Sequence, residues 1–140
     1  MIILDTNVVS ELMRPVPAEE LMRWLEGLPA TSLFTTSITQ AEILHGILLL
    51  PAGARRSAFE TAAEAMFSVE FNGRILPFGS QSAQPYAQIA ASRQRAGRPI
   101  AHLDAQIAAI AQSAGAPVAT RNGKDFDHCG VTVINPWAGP

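Results

Sequence analysis

The sequence predicts an α/β sandwich on a mainly parallel central sheet of about four to five strands. Three observations carry this expectation. Short apolar runs of strand length alternate with longer stretches of helical periodicity. Gly and Pro stand at the boundaries between them. The connections are short turns, with no internal repeat and no linker long enough to divide two domains, so residues 1–140 read as one domain. With 48% hydrophobic and only 16% charged residues, such a chain can bury a core and is not disordered.

Taken in order, Met1 to Leu4 is an apolar run that reads as a buried strand ending at Asp5. A helical stretch follows through Leu12 and stops before Pro15. Pro17, Glu19 and Glu20 make a helix start ahead of Leu21, Trp24, Leu25 and Leu28, an i, i+3, i+4, i+7 stripe closed by Pro29. Ser32–Thr36 is the second strand. Ile38–Leu50 is apolar on most faces, which predicts a buried helix carrying Glu42 inward. Phe59, Ala62, Ala63, Met66 and Phe67 place a helix over Arg55–Val69, and Arg74–Pro77 is a short strand. Ser82 is the expected cap of a helix running to Arg95 and ending at Gly97 and Pro99. Leu103, Ile107, Ile110, Ala111 and Ala114 form a further stripe stopped by Gly115, and Pro117–Thr120 and Val131–Ile134 are the last strands.

Composition excludes several classes. Apolar runs such as Ile47–Leu50 are far too short to span a bilayer. Asp5 and Asn7 interrupt the opening apolar stretch and no basic segment precedes it, so no secretory signal is expected. A single cysteine, Cys129, cannot form an internal disulfide and suits the cytoplasm. The net charge of −2 does not itself point to nucleic acid. Nine of the ten basic residues are Arg, which suits phosphate, although a biased genome composition gives the same ratio.

Functional residues in open α/β sheets lie at the carboxyl ends of strands. The chain has four aspartates, Asp5, Asp104, Asp125 and Asp127. Asp5 follows the first strand, Asp125 and Asp127 follow the strand ending at Thr120, Asp104 opens a helix, and Glu42 falls in the first turns of a helix that follows a strand. All these positions fall on one side of the sheet, so four acids can converge. Packed carboxylates repel, and burial raises their pKa values, unless a cation compensates. Hard divalent ions take carboxylate oxygen and leave positions for phosphate; one such ion activates water, and a second about 4 Å away stabilises the leaving oxygen. The bland alternative makes Asp5 and Asp104 helix caps, but Glu42, the one acid in an apolar helical stretch, is costly without a partner.

Other sites are poorly supported. His45, His102 and His128 do not form zinc spacing with Cys129, and phosphate-loop and Gly-x-Ser-x-Gly signatures are missing. Arg93, Arg95 and Arg98 could meet phosphates, but their place at a helix end favours pairing with the helix dipole.

The segment Ile2-Ile3-Leu4-Asp5-Thr6-Asn7-Val8-Val9-Ser10-Glu11-Leu12 resembles the opening of PIN domains, nearest to VapC-type toxins of the FitB-like branch. Thr36–Ile43, Asp104–Ala111, Ala119–Phe126 and the ending Val133-Ile134-Asn135-Pro136-Trp137 agree in order and spacing, so the likeness spans nearly the whole chain. The resemblance implies a single PIN-like domain and a Mg²⁺- or Mn²⁺-dependent endoribonuclease whose acids map onto Asp5, Glu42, Asp104 and Asp125. It also implies hydroxyls at Thr6 and Thr120 that orient the carboxylates. Asn122 then holds water at the ion, caps the following turn, or does neither, and Asp127 lies two residues past the fourth acid. Homodimerisation is implied too, as is an antitoxin with a DNA-binding domain whose tail enters the acidic groove. Leu21–Leu28 and Arg55–Val69 are candidate docking surfaces, though core packing explains their stripes as well. The rival readings are a deoxyribonuclease or phosphatase using the same acids, and a catalytically silent binding module.

Overall fold

Short apolar segments supply the strands of the computed structural model, which describes residues 1–138; the last two positions of the expected 1–140 span lie outside the described residues. β1 (Ile2–Leu4), β2 (Leu33–Thr36), β3 (Ile75–Leu76), β4 (Val118–Ala119) and β5 (Val133–Ile134) form one five-stranded sheet in the order β3-β2-β1-β4-β5. Every pairing is parallel. The last two strands are shorter than the apolar runs that predict them. Pro117 has no N–H to give to a ladder, and at Thr120 the side chain turns to Asp5 although the N–H still reaches Ile134 O at 2.9 Å.

Alternation along the strands sends neighbouring side chains to opposite faces. Ile3 and Val118 pack with Ile89 of α5 (Ala83–Arg95) and with Ile107, Ala108 and Ile110 of α6 (His102–Ala114). Leu4 and Ala119 pack on the other face. Their partners there include Val8 of α1 (Thr6–Leu12), Leu21 of α2 (Glu19–Glu26), Ile43 of α3 (Ser37–Leu48) and Ala63 of α4 (Ala54–Ala65). The stripes of Leu21–Leu28 and Arg55–Val69 are therefore largely committed to the protein's own core: Leu21 is fully buried, and Trp24, Leu25, Phe59 and Met66 pack against the same cluster. Gly115 ends α6 in the left-handed conformation, φ 65°, that a residue without Cβ adopts at low cost.

Three local expectations are corrected. The helix over Ile38–Leu50 is not buried all round, because α4 covers only one flank, and Leu44, Leu48 and Leu49 are 43%, 62% and 72% exposed. The α-helix over Arg55–Val69 stops at Ala65 and widens into a π turn, Met66–Glu70, closed by Phe71 N–H on Met66 O at 2.9 Å. This turn brings Phe67 and Phe71 into the core together. Ser82 stands at the N-cap position of α5 as expected but makes no capping bond: it is buried in a 3-10 turn, Ser80–Ser82, and among the described residues its hydroxyl has no partner. No helix among the described residues is long and apolar enough to cross a membrane.

From β1 the chain moves outward through β2 to β3, then returns to the opposite side of β1 for β4 and β5. The direction of winding therefore reverses between β1 and β4, and a crevice opens beyond their carboxyl ends. The core beneath that crevice is centred on α6. Replacing the fully buried Ile107 by Ala is expected to cost about 3 kcal/mol, read in urea unfolding as a lower midpoint at unchanged slope. A loss below about 1 kcal/mol would contradict the packing described.

Candidate active site

Asp5 and Thr120 are the first residues beyond β1 and β4, and they meet across the crevice. The Thr120 hydroxyl donates to Asp5 Oδ2 at 2.8 Å, and Asp5 Oδ1 accepts the Thr6 N–H at 2.8 Å. Asp5 is thus the cap of α1 and also a member of the site. The Asn7 amide reaches both Asp5 Oδ2 (3.3 Å) and Thr120 Oγ1 (3.1 Å), while its Oδ1 accepts the Arg121 N–H at 3.1 Å. Asn122 N–H donates to Thr120 Oγ1 at 3.1 Å, completing a small network around one carboxylate. Only 5% of Asp5 is exposed. Burial pushes its carboxyl above the ordinary carboxylate range, the Thr120 and Thr6 hydrogen bonds oppose this, and the charge of Asp125 adds to it.

Glu42 lies in the second turn of α3 and is half-buried, not enclosed as the apolar sequence around it suggests. Its Oε1 accepts the Thr6 hydroxyl at 2.9 Å. With that proton used, the 3.0 Å contact between Thr6 and Thr39 has Thr39 as donor. Thr39 in turn gives its N–H to Thr36 Oγ1, the cap of α3, so a chain of threonines runs from the end of β2 to the acid. Burial again raises the pKa of Glu42, the Thr6 hydrogen bond lowers it, and Asp5 raises it.

Asp104 stands in the first turn of α6 but does not cap it; the cap position is Ala101, which has no side-chain group to offer. Among the described residues its carboxylate accepts no hydrogen bond. Burial first, then the charges of Asp5, Asp125 and Glu42, push its pKa up to about 6, against the pull of Arg93. Asp125 is exposed in the 3-10 turn Gly123–Phe126, and its charge is felt at both Asp5 and Asp104. The structure therefore brings Asp5, Glu42, Asp104 and Asp125 into one electrostatic cluster. Asp127 lies outside it, because its charge acts on Cys129 and not on the three raised acids. Asn122 opens the turn without a side-chain capping bond.

One residue at the site is read differently from its sequence position. Arg93 is neither a phosphate contact nor a dipole partner facing solvent: it is 7% exposed, on the α5 face that also carries Tyr86 and Ile89. Its guanidinium donates to Arg98 O (2.7 Å), Asp127 O (2.9 Å) and Asp125 O (3.3 Å), with Cys129 Sγ at 3.7 Å. It staples the loop carrying Asp125 to α5, which makes it a positioning residue. The i, i+3, i+7 spacing of Tyr86, Ile89 and Arg93 was the available signal. Arg95 and Arg98 stay exposed.

The donor set is carboxylate oxygen alone, the set that hard divalent cations take. The two ion pairs among the described residues, Arg14–Glu11 and Arg56–Glu60, involve none of these acids. Among the described residues no three of these side chains stand close enough to enclose an ion as they are. Closing on one requires side-chain rotation, for which the half-exposed Glu42 and Asp104 have room. The residues fit such an ion by charge and by donor chemistry, and among the described residues none of these acids is in an ion pair, Arg93 acting on Asp104 only from a distance. A cavity of about 290 Å³ opens beside Glu42 and Thr6, walled by Ile47 and Phe59 and bordered by Arg55.

Comparison with known proteins agrees with this geometry. Residues 2–131 match the PIN domain family. The chain is 37% identical to the VapC ribonuclease Y4jK of Sinorhizobium fredii, over 98% of each chain. It is 40% identical to Toxin FitB of Neisseria gonorrhoeae, over 98% of this chain and 99% of that one. Among solved structures, FitAB bound to the IR36 DNA fragment superposes with a TM-score of 0.89 at 40% identity, covering 98% of this chain and 96% of that chain. With its sheet order, its crevice between β1 and β4 and the acids beside it, this chain belongs to the PIN domain family.

Proposed function

We propose that this chain is an endoribonuclease dependent on Mg²⁺ or Mn²⁺, the toxin of a type II toxin–antitoxin module, acting as a single-domain protein in the cytoplasm. The observation that carries the reading is the mutual charge repulsion among Asp5, Glu42, Asp104 and Asp125, none of them in an ion pair among the described residues, in a chain similar to a VapC ribonuclease and to Toxin FitB. In this reading the four acids hold the metal, with Asp5 the fixed ligand and Asp104, lacking any hydrogen bond, the adaptable one. A bound divalent ion supplies Lewis acidity, making water acidic enough to attack at neutral pH and neutralising charge that develops on the phosphate.

The protein's own share is orientation. Thr120, Asn7 and the Thr6 N–H fix the Asp5 carboxylate, and Thr39 and Thr6 fix Glu42. Because those hydroxyls are spent on carboxylates and on one another, none of them serves as a nucleophile. Water is therefore the attacking group we propose, in a single displacement at phosphorus without a covalent enzyme intermediate. Arg93 keeps the Asp125 loop in place from below.

The partner in this reading is an antitoxin that binds DNA, as in the FitAB complex on a DNA fragment, with the toxin as a homodimer. The groove beside Glu42, apolar along Ile47 and Phe59 and basic at Arg55, suits a peptide tail entering the acidic crevice.

Asp104→Asn is expected to lower RNA cleavage at least about a hundredfold while the protein stays folded, and Thr120→Val to lower it roughly tenfold to a hundredfold through loss of Asp5 orientation. Assaying RNA, single-stranded DNA and a small phosphoester side by side tests the substrate; full activity of a folded Asp104→Asn protein would refute the assignment.

The charge cluster also predicts a pH dependence. A carboxyl whose folded pKa is about 6, above its ordinary 3.8, binds a proton more tightly folded than unfolded. The metal-free protein therefore gains stability as pH falls through 6 and loses it as pH rises through 6. Thermal melts should show a higher metal-free Tm at pH 5.5 than at pH 7.5, and a larger rise on adding Mg²⁺ or Mn²⁺ at pH 7.5 than at pH 5.5. Equal metal-induced shifts at both pH values would count against a carboxylate metal site.

A further inference from the structure

Arg121 begins the loop that leaves Thr120, and its N–H is held by Asn7 Oδ1, the same side chain whose amide binds Asp5 and Thr120. Its guanidinium carbon lies 4.9 Å from the centre of the Trp137 ring, well inside cation–π range. Trp137 is itself anchored, through its N–H on Asn135 Oδ1 at 3.0 Å and through packing of its ring against the core cluster on the α1 face of the sheet. Among the described residues the guanidinium makes no hydrogen bond and no ion pair, although the loop that carries it also carries Asp125 and Asp127. It therefore stands beside the acid cluster and not within it.

A guanidinium stacked on a ring keeps its in-plane N–H donors directed past the ring edge, where a phosphate can take two of them at once. The surroundings leave a place for such a donor. A cation held by the four acids would serve the phosphate that is cut, whereas a neighbouring phosphate meets only the negative charge around it, and the buried Arg93, the basic group that acts on Asp104, is already committed to backbone carbonyls. We propose that Arg121, held on Trp137, binds a backbone phosphate of single-stranded RNA next to the one that is cut. This rests on the ribonuclease reading, which places RNA in the crevice.

The test measures binding of a fluorescent single-stranded RNA oligomer in Mg²⁺, in an Asp104→Asn background that does not cut, across a range of salt concentrations. Adding Arg121→Gln is expected to weaken binding about tenfold and to reduce the slope of log affinity against log salt by about 0.7, the share of one single-strand phosphate. Arg121→Lys should keep the slope, since the charge remains, and lose part of the affinity with the fork. Trp137→Leu should weaken binding without removing the charge. Unchanged RNA affinity and slope in Arg121→Gln would overturn the inference while leaving the ribonuclease reading intact. Loss of antitoxin binding with RNA affinity retained would overturn it in favour of a protein contact at this residue. Failure of the Asp104→Asn protein with Arg121 intact to bind RNA, together with no RNA cleavage by the wild type, would overturn both readings.

Discussion

Keeping Asp5 at the end of a buried strand, with other carboxylates near it, requires compensation for desolvation and for like-charge repulsion. Part of that compensation is visible as three donors on one side chain, the Thr120 hydroxyl, the Thr6 N–H and the Asn7 amide. They fix the carboxylate but do not neutralise it, and its pKa remains raised. Asp104, with no donor of its own, carries the larger burden. The fold accepts this because the switch between β1 and β4 leaves a crevice at the strand ends, where residues from opposite ends of the sequence meet. Such repulsion is what the proposed divalent cation would relieve.

Much of the architecture was legible because strand and helix signals were of different period. Ile2–Leu4 and Leu33–Thr36 read as strands from their apolar runs, and α6 from a clean stripe ended by Gly115. What failed did so for tertiary reasons. The helix from Ser37 is apolar on most faces in sequence, but only one flank meets α4 and the core, and the excess faces solvent. Ser82 has the composition of a cap, yet the preceding 3-10 turn buries it before the helix begins. The π turn after Ala65 keeps helical spacing nearly intact, so periodicity alone could not separate it from α4.

Of the site, Asp5 at a strand end, Asp104 at a helix start and Glu42 in the first turns of a helix could be singled out from the period, whereas Asp125 falls in a 3-10 turn that the period does not mark. Their hydrogen-bonding was not legible. That Thr39 feeds Thr6, and Thr6 feeds Glu42, depends on the way β2 and α3 approach α1 in space. Arg93 was obscured by its place at a helix end, where solvent exposure is the usual case; only the face it shares with Ile89 hints that it turns inward. Its hold on the carbonyls of Asp125 and Asp127 ties the one exposed acid of the cluster to the rigid α5–α6 layer. The same loop therefore carries both Asp125 and the stacked Arg121, and it leaves from Thr120, which itself anchors to Asp5.

The most direct measurement is anomalous diffraction from crystals of the intact protein soaked in Mn²⁺. The expected result is a peak in the crevice between β1 and β4, about 2.1 Å from an oxygen of Asp5 as hard octahedral ions require, with Asp104 turned onto it and Glu42 or Asp125 within reach of its ligand shell. A crevice with no peak at saturating Mn²⁺, or a peak bound elsewhere while Asp5 keeps only its three protein donors, would contradict the claim that these acids gather to hold a metal.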